Sequence, residues 1–144
     1  MTPLLLIHTA ATWMMVGLIW TVQVVHYPLF SRVGEDVFVA YHERHMKLIL
    51  RLLFLPALAE TVTAVLLLLY RPSGVSDIQV WTGLVLLVSI WCSTFVVQVP
   101  EHRNLTGGFK KDRFQILVRS NWFRTAVWTA RGIVALWMID TATG

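Results

Sequence analysis

Four long apolar stretches decide most of what this chain can fold into. Residues 4–30, 47–70, 78–100 and 121–139 are each long enough, at about 20 helical residues, to cross the hydrocarbon core of a bilayer. A soluble domain of 144 residues does not carry 56% apolar residues, 14% charged residues and seven tryptophans. The expected fold is all-α and integral to a membrane: one four-helix transmembrane bundle formed by the whole of residues 1–144.

The connections set the topology. Residues 71–77 contain Pro72 and Gly74 and make a short turn, so the second and third segments are antiparallel neighbours. Residues 31–46 place Val37, Phe38, Tyr41 and His45 at helical spacing and read as an interfacial helix or a water-side extension of the second span. Residues 103–119 open with the loop RNLTGGFKKDR before an amphipathic turn, FQILVRS. Arg32, Arg44, Lys47, Arg51, Arg103, Lys110, Lys111, Arg113, Arg119 and Arg124 gather at one face, against Arg71 alone at the other. By the positive-inside rule the two longer connections are cytoplasmic and both termini lie outside, in a bacterial-type inner membrane.

The net charge of +4 then belongs to a membrane face, whose partner is anionic lipid rather than nucleic acid. The Asn104-Leu105-Thr106 sequon would be silent on that side. No basic segment or small-residue cleavage site marks the first span as removable. Cys92, the lone cysteine, reads as packing. No repeat of 20–50 residues stands out, and the two halves share no evident motif.

In antiparallel neighbours, residues equally far from a connection lie at about the same depth. His26 then falls opposite residues 38–42, His45 falls level with about residue 103 beside His102, and His102 falls level with Asn121. Four of the five histidines meet at the cytoplasmic end, near Gln23, Glu101 and Arg124. Farther along, His8 falls opposite about residue 58, near Glu60 and at the depth of Arg131. His8 and His26 are 18 residues apart, or about 27 Å, so these are two separate layers.

His42 and His45, spaced i and i+3, share a helix face with Cβ atoms about 5–6 Å apart, within reach of one metal ion. His26 and His102 would complete a nitrogen set, with Glu43 or Glu101 as oxygen donors. Imidazole suits copper, iron and zinc alike. Haem b, held by histidines from two helices, ranks behind because the cluster sits at an end of the bundle. The competing reading is a group of solvated histidines at a wet helix end.

In the other layer, an ionised side chain deep in a bilayer costs several kcal/mol unless it is paired. Glu60 and Arg131 are therefore expected to pair, with His8 on the same carboxylate, as a structural lock or a proton-handling group. Asn121, Arg124, Trp128 and Arg131 form one stripe that can bind an aromatic or anionic lipophilic molecule. Pro56 is expected to kink the second helix and free the Leu52 carbonyl.

Three pieces, HYPLF, VQVPEHRNL and LVRSNWFRTAVWTAR, resemble a bacterial and fungal family of small four-helix membrane proteins that includes anthrone oxygenases. The resemblance lies mainly in the second half. It implies oxidation of a lipophilic, polycyclic phenolic substrate and draws attention to Pro100, Leu105, Asn121 and Arg124. The histidine group is no part of what it implies.

The leading expectation is a membrane-embedded oxidoreductase or oxygenase acting on a lipophilic aromatic or quinone-like compound. His26, His42, His45 and His102 would bind a metal or move protons; Asn121 and Arg124 would orient the substrate; His8, Glu60 and Arg131 would polarise the interior. The alternative is a non-catalytic transport or accessory subunit, as a homo-oligomer where it transports.

Overall fold

A computed structural model describes residues 2–144. Four helices account for nearly all of them: α1 (Pro3–Phe30), α2 (Glu35–Leu69), α3 (Asp77–Asn104) and α4 (Lys111–Thr143). Each packs on its neighbours in sequence and α4 closes the ring on α1; the α2–α3 seam is the loosest. Both termini lie at one end, called here the terminal end, and the two longer connections lie at the other.

Two helices begin well before the expected spans. Residues 35–46 are a continuous extension of α2, and α4 starts ten positions before residue 121. Among the described residues, α1, α2 and α3 are the helices both long and apolar enough to cross a membrane. The fourth is long enough at 33 residues, but Asn121, Arg124 and Arg131 keep it more polar than the expectation of four equal spans allowed.

The polarity is inverted. Phe54, Leu55, Leu69, Val85, Phe95 and Val96 are exposed, whereas Gln23, Glu60, Gln98, Asn121 and Arg131 are buried. An apolar surface this extensive is unlike that of a soluble monomer. Inside, layers alternate along the axis. A terminal cluster of Leu5, Leu67, Val80 and Met138 is followed by a polar layer at His8 and Glu60. A middle cluster of Met15, Ile19, Ile90 and Trp128 is followed by polar Gln23 and Asn121, and Tyr27, Phe30, Phe38 and Phe114 fill the far end.

Each of α1 and α3 contains one π-helical turn, Val22–His26 and Thr94–Gln98. The Tyr27 amide donates to the Val22 carbonyl and the Val99 amide to the Thr94 carbonyl, five residues back rather than four. A proline follows each turn, Pro28 and Pro100. Proline lacks the amide an α-turn needs and crowds the carbonyl four residues back, and the wider turn relieves both. At Pro56, by contrast, α2 runs on as α-helix on both sides, and proline, having no amide proton, leaves the Leu52 carbonyl without its in-helix donor.

These two turns correct the expectation that the halves share nothing. Each position lies 72 residues after its counterpart, Val22 to Thr94 and Pro28 to Pro100, which is half of the 144-residue chain. Val24-Val25-His26-Tyr27-Pro28 and Val96-Val97-Gln98-Val99-Pro100 share Val-Val-x-x-Pro. Contacts repeat at the same offset. His42 pairs with His102 (ring centroids 5.5 Å apart) where Phe114 stacks on Phe30 (6.4 Å), and His26 meets His45 where the Gln98 side chain donates to the Leu117 carbonyl. The bundle is two α-hairpins of one design.

Close approach of α1 and α4 rests on Gly132, where a Cβ would lie 3.2 Å from the Trp13 ring and 3.3 Å from Val16. Gly17 has open space around it. Gly132→Leu is expected to destabilise the protein by about 1–3 kcal/mol through overpacking, with Gly17→Leu near neutral, measured as thermal unfolding in detergent.

Candidate functional site

The layer nearer the termini is a closed network. Arg131 Nε donates to Glu60 Oε1 at 2.7 Å, and both side chains are 1% exposed. Trp128 Nε1 donates to Glu60 Oε2 at 3.1 Å, so both carboxylate oxygens are engaged. Arg131 Nη1 donates to the Gly83 carbonyl, and Nη2 lies 3.5 Å from His8 Nε2. The Thr63 hydroxyl donates to the Ala59 carbonyl at 2.6 Å, which leaves its oxygen to accept from His8 Nδ1 at 2.9 Å. That assignment puts the proton on Nδ1 and turns the Nε2 lone pair toward Arg131. His8, Glu60 and Arg131 thus meet as expected, and Thr63, Gly83 and Trp128 complete them. The Thr9 and Thr12 hydroxyls, on the turn after His8, are buried without a partner.

At the connection end the four histidines gather, but as two pairs rather than one cluster. His42 Nε2 lies 3.2 Å from His102 Nδ1, while His26 and His45 face each other with ring centroids 5.5 Å apart. The Phe30 ring packs edge-on against His42 and against His45, one member of each pair. Among the described residues no three His, Cys, Asp or Glu side chains come together as a metal-binding group. Two nitrogens per pair fall short of the three or four protein ligands that zinc sites use.

The partners also differ from the level count. His26 meets residue 45 rather than 38–42, and His8 meets residue 63 rather than 58, the same shift of about five residues. Equal-depth counting assumes hairpin arms that end level; here α2 is staggered along α1 by a constant amount.

Asn121 Nδ2 donates to Gln23 Oε1 at 2.8 Å, and Arg124 Nη1 donates to Asn121 Oδ1 at 3.1 Å. The Arg124 guanidinium stacks over Trp128, 5.1 Å from the ring centroid. One tryptophan therefore touches both layers, its indole N–H on Glu60 and its face under Arg124. Tyr27 donates to Gln98 Oε1 at 3.3 Å, and Gln98 donates to Ser120 Oγ at 2.7 Å. Sequence reasoning passed over Gln98 and Tyr27, although both stand in the Val-Val-x-x-Pro segments. Glu101 instead takes Arg113 at 3.4 Å and Asn104, near the surface.

Two titratable groups here have open valences: His42 Nδ1 and Arg124 Nε are buried without a hydrogen-bond partner. Whichever of His42 and His102 donates to the other, His42 Nδ1 remains a free lone pair or a free N–H.

No protein family matches this chain, and no curated protein or solved structure matches it.

Arg131→Met strands a buried carboxylate and is expected to cost about 3–5 kcal/mol; Glu60→Leu combined with Arg131→Met should recover much of that, read by thermal unfolding.

Proposed function

We propose that the chain is a multi-pass protein of a bacterial-type inner membrane with both termini outside, and that it is an oxidoreductase or oxygenase for a lipophilic aromatic or quinone-like compound. The observation that carries this reading is the pair of open valences at the connection end, His42 Nδ1 and Arg124 Nε, in a bundle whose other ionic layer is closed. Buried polar atoms are almost always satisfied, so an unpartnered imidazole nitrogen and an unpartnered guanidinium nitrogen are each what a polar ligand atom would complete.

The residues supply deprotonation and orientation. The His42–His102 pair takes the proton of a phenolic or quinol hydroxyl, and Arg124, held by Asn121 and stacked on Trp128, stabilises the oxyanion. The electron-rich phenolate is the form from which electrons pass to an acceptor such as dioxygen. Copper, iron or zinc would find only two nitrogens in each histidine pair, so the acid–base version fits the geometry better. His8, Glu60 and Arg131 then act as the structural lock.

Anthrone and a short-chain quinol are the probes, titrated into purified protein while Trp fluorescence and probe absorbance are followed, with elemental analysis and an optical spectrum of the same sample. Saturable binding is expected, with the probe hydroxyl ionising at a pH lower by one unit or more, and Arg124→Gln and His42→Ala should weaken binding at least tenfold. Absence of binding by either probe, together with no bound metal or haem, removes the enzyme reading. In that case the alternative of a transport or accessory subunit gains, because the polar contacts from His8 through Arg131, Glu60, Trp128 and Arg124 to Gln23 join α1, α2 and α4, and Arg131 on the Gly83 carbonyl adds α3.

A further inference from the structure

Two depressions lie end to end along the α1–α2 face. One, of about 300 Å³, is lined at the connection end by His26, Tyr41, Arg44, His45 and Leu48; the other, of about 500 Å³, by Met14, Arg51, Leu55, Pro56 and Ala59. Leu52 belongs to both. Ala10 and Ala11 on α1 keep the second open.

The lining has one sign of charge. Arg44 and Arg51 are seven residues apart, two helical turns, and no carboxylate lines either depression. The described ion pairs are Arg71–Asp77, Arg113–Glu101 and Arg131–Glu60, so neither arginine is engaged. Helical side chains lean toward the helix N-terminus, which for α2 is the connection end. Arg51, which lines the second depression, therefore leans toward the connection end, the direction in which Arg44 and His45 line the first. From Leu48 to Ala59 the apolar stretch runs about 16 Å, close to one leaflet of a hydrocarbon core of about 30 Å.

From this we infer a site for one anionic phospholipid of the surrounding bilayer: its phosphate between Arg44, Arg51 and His45, one acyl chain along Leu48, Leu52 and Leu55 toward Ala59. The inference rests on the membrane reading above and is independent of the proposed chemistry. A phosphate monoester or diester meets two guanidinium groups in bidentate geometry, which a zwitterionic lipid can do only against its own ammonium group.

The test reconstitutes the chain in nanodiscs of phosphatidylcholine with a graded fraction of phosphatidylglycerol and counts retained lipids by native mass spectrometry after release. One phosphatidylglycerol per chain is expected, preferred over phosphatidylcholine by roughly thirtyfold for two arginines near the surface. Arg44→Gln with Arg51→Gln should abolish the preference, and Leu52→Trp, which keeps both charges and plugs the joint, should abolish retention. Arg103→Gln with Lys110→Gln removes equal charge from the other connection and should change neither. Equal loss in that control, or retention in Leu52→Trp, overturns the site in favour of diffuse attraction. A chain that enters nanodiscs but does not distinguish the lipids overturns this inference alone; one that stays out overturns the membrane reading with it.

Discussion

A carboxylate and a guanidinium, each 1% exposed, meet in the interior of this bundle, and the polar contacts around them depend on that pairing. Either charge alone in that interior is costly, and the pair repays its desolvation only when the remaining donors and acceptors are filled. Filling them recruits every helix: His8 from α1, Glu60 and Thr63 from α2, the Gly83 carbonyl from α3, and Trp128 with Arg131 from α4. Each partner is a directional contact, so the network fixes depth as well as distance. Apolar side chains alone, between helices whose outer faces are equally apolar, would specify neither so well.

The fixed depth is passed on to the connection end through Trp128. Its indole N–H is committed to Glu60 and its ring supports Arg124, which in turn meets Asn121 and through it Gln23. The layers are separate sites, as their spacing along α1 requires, yet one side chain couples them. A change at Glu60 therefore has a direct mechanical route to Arg124 through the position of the Trp128 ring.

Element type and interior chemistry were legible in the sequence because long apolar runs and isolated charges leave few alternatives. The Glu60–Arg131–His8 meeting was legible for the same reason. Stagger was not: a turn sequence constrains which helices adjoin, while sliding along the axis is decided by side-chain interdigitation that no local motif encodes. Hence His26 met His45, and His42 met His102. The half-repeat escaped because its marks are backbone marks. Val-Val-x-x-Pro is a weak string until both copies are seen to widen the helix at the same place. The lower hydropathy of α4 was written in Asn121, Arg124 and Arg131, the residues read as its interior stripe.

The repeat also bears on why the open chemistry is single. A twofold frame offers two equivalent positions for every contact, and a symmetric chain would carry two equivalent sites. Here the position held by His42 and His102 on one side is held by Phe114 and Phe30 on the other. Two phenyl rings bring no lone pair and no donor, so that side is closed by packing alone. Glu60 likewise has Gly132 as its counterpart and Arg131 has Ala59, small residues that let the helices approach without a charge to satisfy. Filling one half-site with hydrocarbon removes its desolvation cost and its reactivity together, and leaves the unpartnered imidazole nitrogen of His42 on one side of the frame only.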